Sequence, residues 1–248
     1  MRKFCMLLCI ISIVACGGKK TPSDVAVNFE KVKVELNSPR DSAYKVSVVY
    51  YNPSDTPAYL NDSILKYTKL LLASWFDVKG NFDLNASVKA HFGEYSKQVA
   101  ENNLPGRNNV FDLKIFPEEV YQNKHIISLA YNWIVYEGGA HNNFGKFCFV
   151  IDKKTGSKVS YETLIKGHET EFLSIAETEF KALSGIKEDK EMYDLYQFKN
   201  DKFHLVDNFE FTASGIVFCY NPYEIAPYAL GLIELTLPYE KVESLLKW

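Results

Sequence analysis

Residues 126–136, Ile126-Ile127-Ser128-Leu129-Ala130-Tyr131-Asn132-Trp133-Ile134-Val135-Tyr136, are rich in β-branched and aromatic side chains, the residue types that suit a pleated surface. They read as a strand. A glycine-containing stretch follows, and then Phe147-Cys148-Phe149-Val150-Ile151, a second apolar run of strand length. Two adjacent strands joined by a turn are the simplest arrangement of this region. Asp152-Lys153-Lys154-Thr155-Gly156 supplies the next turn.

Working outward, Phe172, Ile175, Ala176, Phe180 and Leu183 fall at helical spacing. Strands near 208–212, 215–220 and 231–237 come next, and a short helix carrying Val242, Leu245 and Leu246 ends the pattern. Upstream, Val32, Val34 and Leu36 alternate with Lys31, Lys33 and Glu35, and Tyr44, Val46, Val48 and Tyr50 repeat the two-residue period. These predict two strands in a hairpin across Asn37-Ser38-Pro39-Arg40. Asp62 or Ser63 is placed to cap a helix packed through Ile64, Leu65, Leu71, Leu72, Trp75 and Phe76, and Val88, Phe92, Tyr95 and Val99 predict another. The expected fold class is α+β: antiparallel sheets with helices packed on one face, in two intimately associated subdomains, 25–124 and 125–248.

The amino terminus carries an address. Met1-Arg2-Lys3 is a short positive region, and Phe4 to Val14 is an almost unbroken apolar run that Gly17-Gly18-Lys19-Lys20 closes early. A membrane-spanning helix needs about 20 apolar residues, so the run has the length of a secretory signal. Its end, Ile13-Val14-Ala15-Cys16, resembles the bacterial lipobox, in which the cysteine receives a diacylglycerol before cleavage. The expectation is a signal peptide at 1–15, an acylated Cys16 with palmitate-like chains, and a polar tether at 16–24. Several acyl chains together anchor firmly where one holds only marginally. The predicted location is the cell envelope, on a bacterial membrane, with the outer membrane or periplasmic face favoured because Gly17 is not an inner-membrane retention aspartate.

The formal charge of the 248-residue chain is -3, and it becomes more negative when Arg2 and Lys3 leave with the signal. Nothing resembles the clustered Lys/Arg stripe that a phosphate backbone requires, which excludes a nucleic-acid partner and fits a basic protein partner better. Of the five cysteines, Cys5 and Cys9 lie in the signal and Cys16 is the acylation site. Cys148 and Cys219 remain, and in an oxidising compartment they are either a disulfide or two buried free thiols.

Catalytic signals are weak. His91, His125, His141, His168 and His204 are isolated in sequence, with no pair at metal-ligand spacing, so neither a metal nor a cofactor is expected. No Gly-x-Ser-x-Gly elbow occurs. Glu118-Glu119 and Glu188-Asp189 read as solvated pairs. His141 stands out because it follows Gly138-Gly139, which let the backbone approach a ligand closely; it is either a ligand contact or a turn-pinning residue. The run from Tyr220 to Tyr228, with three tyrosines and two prolines, offers rigid amphipathic surface for a sugar or a protein, or else packs its rings on the sheet. The ligand-binding reading joins Gly138, Gly139, His141 and Asn142 to Tyr223, Glu224 and Tyr228 as one patch.

Two stretches carry a family resemblance. Tyr136-Glu137-Gly138-Gly139-Ala140-His141-Asn142-Asn143-Phe144-Gly145, followed by Phe149-Val150-Ile151-Asp152 and Thr155-Gly156, is one. Asn221-Pro222-Tyr223-Glu224-Ile225-Ala226-Pro227-Tyr228-Ala229-Leu230-Gly231, with Leu237-Pro238-Tyr239 after it, is the other. Together they resemble the extracytoplasmic domain of the RsiV anti-sigma factor type, over 125–248, which is often preceded by a region shared with the PdaC peptidoglycan deacetylase. The order of elements in 25–124 is compatible with that PdaC-type region. The resemblance implies a non-enzymatic, envelope-facing binding module whose ligand is a protein such as lysozyme or a peptidoglycan-derived glycan. It does not bring the family's transmembrane signalling or a deacetylase domain with it. Two other expectations stand beside it: a glycan hydrolase or deacetylase using His141, and a structural accessory subunit of an envelope complex.

Overall fold

The computed structural model describes residues 26–37, 44–76, 83–101 and 111–248. The expected signal segment, Cys16 and the expected tether lie outside the described residues. Among those described, no helix is long and apolar enough to cross a membrane.

The apolar runs at 126–136 and 147–151 form one continuous antiparallel ladder. Strand β5 (Ile126–Tyr136) pairs antiparallel with β6 (Asn143–Asp152), from Ile126 opposite Asp152 to Val135 opposite Asn143. β5 also pairs with β3 (Phe111–Pro117) and the short β4 (Tyr121–Gln122), and β3 lies beside β2 (Tyr44–Ser54), which pairs with β1 (Asn28–Asn37). This six-stranded sheet therefore runs through residue 124, where the two sequence subdomains were expected to meet. A second, three-stranded sheet follows, β7 (Phe209–Phe211), β8 (Gly215–Tyr220) and β9 (Ile233–Pro238).

Where the two sheets face each other, β5 is buried on both faces from Ile126 to Tyr131, which is why it lacks polar alternation there. Ile127, Leu129 and Tyr131 point into one core with α1 (Ala58–Leu72) and α2 (Leu84–Glu101). Ala130 and Cys148, on the other face, meet Val217 and Cys219 of the small sheet. That sheet's outer face, with Phe209, Phe218 and Leu235, packs on Phe172, Ala176 and Phe180 of α4 (Glu169–Ser184), which follows the one-turn helix α3 (Tyr161–Leu164). The order of layers is helices, large sheet, small sheet, helix. Glu169 and Glu171 favour the positive end of α4, and Gly185 at φ 69° closes it, with Ile186 N donating to Lys181 O at 2.9 Å.

The α+β class is as expected, with antiparallel pairing dominant. Three details differ. Pairing of β2 with β3 is parallel, because α1 and α2 form the crossover between them. Helix α1 starts at Ala58, after Pro57 at φ -52°, so Asp62 and Ser63 lie inside it; Ser63 Oγ donates back to Tyr59 O at 2.9 Å instead of capping. Strand β6 begins at Asn143, earlier than the apolar run suggests, which brings Lys146 into the sheet.

Candidate functional site

The start of β6 and the loop after β8 meet at one edge of the molecule. Gly138 takes φ 80° in the β5–β6 connection, a conformation that suits glycine. The connection then carries His141 to the surface, where its ring stacks on Tyr228 with centroids 4.0 Å apart and planes at 27°. Tyr228 Oη donates to Asn142 O at 2.5 Å, and His141 Nδ1 lies 2.9 Å from the same oxygen. A carbonyl only accepts, so Nδ1 carries the proton and Nε2 is the nitrogen this bond leaves unused.

The aromatic surface continues beyond that stack. Tyr223 is 5.7 Å from Tyr228, and Phe144 meets Tyr228 edge-on at 5.5 Å. Tyr223 is 65% exposed and sits at φ 72°, a left-handed conformation that costs a bulky residue about 1–2 kcal/mol. The turn is held from within: Tyr223 N donates to Ala226 O at 3.1 Å, and Glu224 Oε2 accepts from Asn221 N at 2.8 Å. Asn221 binds this turn to β6, its Oδ1 accepting from Lys146 N at 2.7 Å and its Nδ2 donating to Lys146 O at 3.2 Å. A side chain at Gly145 would strike Asn221 Oδ1 and approach the Trp133 ring to 2.7 Å, so this close approach requires glycine.

Thus the exposed His141, Asn142 and Tyr223 share one platform with the half-buried Tyr228, with Glu224 bracing its turn and Gly138 shaping its connection. Gly139 is exposed, and a Cβ added there would meet only open space. Cys148 and Cys219 lie in the interior between the sheets, both as free thiols.

Below the platform is a cluster that sequence spacing did not reveal. Lys146 is 2% exposed, and its Nζ lies 2.8 Å from Glu118, 2.5 Å from Glu210 and 2.8 Å from Glu234. Burial alone would lower its pKa, but hydrogen bonds to the three carboxylates outweigh that and hold it above the ordinary lysine range. Burial raises the pKa of Glu210 despite Lys146 beside it. Glu118, expected as part of a solvated pair, instead binds Lys146 and accepts from Asn132 Nδ2 at 2.9 Å. Lys146 and its three carboxylates come from four strands or their ends, so no local motif announces them.

Among the described residues, two groups could approach a metal ion: Glu118 with Glu210 and Glu234, and Cys148 with Glu210 and Cys219. Neither includes a histidine. In the first, the Lys146 ammonium already sits against all three carboxylates. A separate cleft of about 680 Å³ lies near Tyr121, Lys124, Tyr239 and Trp248.

Residues 164–240 match the model of DUF3298, a protein family of unknown function. That stretch covers α4, the small sheet and the platform turn, and leaves out β5 and β6. No curated protein matches the chain. A DUF3298 family crystal structure from Bacteroides fragilis is similar at a TM-score of 0.69 with 18% identity, over 92% of this chain and 96% of that one. A second, from Pseudomonas aeruginosa, gives a TM-score of 0.61 with 19% identity, over 91% and 96%. At such identities the likeness concerns the fold.

Proposed function

We propose that this chain is a lipid-anchored binding module of the cell envelope, whose ligand lies on the platform of His141, Tyr228 and Tyr223 and is a peptidoglycan-derived glycan. The observation that carries this reading is the exposed stack itself. Rings from two segments far apart in sequence converge on the surface, and one of them, Tyr223, keeps an exposed position at a cost in backbone strain. Flat rings offer faces to the apolar side of a sugar, and the exposed amides of Asn142 and Asn143 offer hydrogen bonds beside them.

A second reading has an observation of its own. Glu137 and Glu224 are exposed around the platform, and the chain is acidic overall, which favours a basic protein partner of the lysozyme kind. The family resemblance points the same way, and envelope attachment through Cys16 suits either ligand. Hydrolysis or deacetylation by His141 is less supported: the ring's bonded neighbour is a backbone carbonyl, where a general base would gain from an orienting carboxylate.

Retention on immobilised peptidoglycan and on immobilised lysozyme, each at low and at high salt, distinguishes the readings. Stacking on a neutral sugar resists salt, whereas charge attraction weakens as the Debye length shrinks to about 3 Å at 1 M. Retention by peptidoglycan at both salt levels, lost in Tyr228→Ala, is the expected result. Retention by neither matrix at low salt would overturn the binding reading.

A further inference from the structure

Cys148 on β6 and Cys219 on β8 face each other across the two sheets, with their sulfurs 3.7 Å apart. Both are buried free thiols. One asparagine fixes their spacing. Asn208 Oδ1 accepts from Cys148 N at 2.8 Å, its Nδ2 donates to Cys219 O at 2.9 Å, and its carbonyl accepts from Cys219 N at 2.8 Å. The backbones that bear the two sulfurs are therefore already tied together. A disulfide needs an S–S distance of about 2.05 Å, and two adjacent side chains can share that short approach.

We propose that Cys148 and Cys219 form a disulfide that joins the large sheet to the small one. Two S–H bonds break and one S–S bond forms. Two electrons pass to the disulfide of a thiol–disulfide oxidoreductase, and the two protons, exchanged through solvent, end on its sulfurs as it is released as a dithiol. The proposal rests on the envelope location for this oxidant, and not on the identity of the platform's ligand. Burial raises the Cys148 thiol pKa, and the thiolate is the reactive form. Exchange therefore occurs before the sheets close over the pair, and the finished bond is shielded from reductants.

Glu210 also approaches the two sulfurs, and together the three could hold a soft divalent cation. Its carboxylate is already bound to the Lys146 ammonium at 2.5 Å, which repels a second cation, so the disulfide is favoured. The bond has a consequence for the platform. β6 starts beside His141 and β8 ends just before the Tyr223 turn, so the link couples the strands that carry the platform's two halves.

The test uses the full chain, exported by a bacterium and purified without reductant. It is denatured in iodoacetamide and analysed by peptide mass spectrometry. The expected result is a linked pair of peptides containing Cys148 and Cys219, neither of them alkylated. Dithiothreitol should leave the bond intact in native protein and break it only with denaturant. The reduced chain should then unfold about 5–15 °C lower. Full alkylation of both cysteines, or one tightly bound zinc per chain with both thiols protected, would overturn the proposal. Peptidoglycan retention measured on the same sample separates the two readings: free thiols with retention intact would remove the disulfide alone, and a linked pair without retention would remove the ligand alone.

Discussion

Lys146 and His141 stand close together on one segment, yet they illustrate opposite uses of polarity. Lys146 is buried and bonded to three carboxylates from other parts of the chain. His141 is exposed and stacked on a tyrosine, with its bonded ring nitrogen turned to a backbone carbonyl. A charge in the interior is tolerated only with partners, so the Lys146 cluster is expected to govern stability. A ring on the surface adds little to folding, so the platform is expected to govern binding.

The sharpest way to break that division is Lys146→Met. It leaves Glu210 buried without its ammonium and should cost about 3–5 kcal/mol in urea denaturation. A loss below about 1 kcal/mol would mean that the cluster is a bystander. Next in size is the platform. Tyr228→Ala should weaken peptidoglycan binding about tenfold, equivalent to about 1.4 kcal/mol, while shifting stability by about 1 kcal/mol or less, the worth of a ring pair. If its stability fell as far as that of Lys146→Met, the two regions would not be separable.

Alkaline pH sharpens the comparison from another side. Lys146 has a folded pKa raised above its usual 10.5, and burial pushes Tyr131 from 10.0 up to about 12. Above pH 10 the unfolded chain releases these protons while the folded chain keeps them, so stability falls as pH rises. Denaturation midpoints should hold from pH 8 to about 9 and decline towards pH 11, and Lys146→Met should remove part of the slope above pH 10 while His141→Ala leaves it unchanged.

The smallest expected effect is at Tyr223. Glycine there relieves the left-handed strain, so Tyr223→Gly should hold or raise stability by up to about 1 kcal/mol and still weaken peptidoglycan binding. A clear loss of stability, read from the same urea curves, would assign the ring a packing role.

Much of the fold was legible in the sequence because its strands advertise themselves locally. The runs at 126–136 and 147–151, and the alternation at 31–36 and 44–50, mark four strands of the large sheet. β3 was not anticipated, and with it the parallel pairing to β2, since crossover order is not written in periodicity. The start of α1 was misplaced because Asp62 and Ser63 have capping side chains, while the chain begins its helix after Pro57. For the platform, Gly138-Gly139 and the tyrosine-rich turn were visible as separate unusual stretches, and their convergence is a tertiary fact. For the Lys146 cluster a lysine within an apolar stretch is the one local hint, and its three partners are remote in the chain.

The most direct measurement is a titration of the isotope-labelled protein with a soluble peptidoglycan fragment, followed by NMR. The resonances of His141, Tyr223 and Tyr228 should shift and saturate together, while those of Lys146 and of Trp248, beside the separate cleft, stay in place. Shifts centred on Trp248 with the platform unchanged would contradict the assignment of the binding surface.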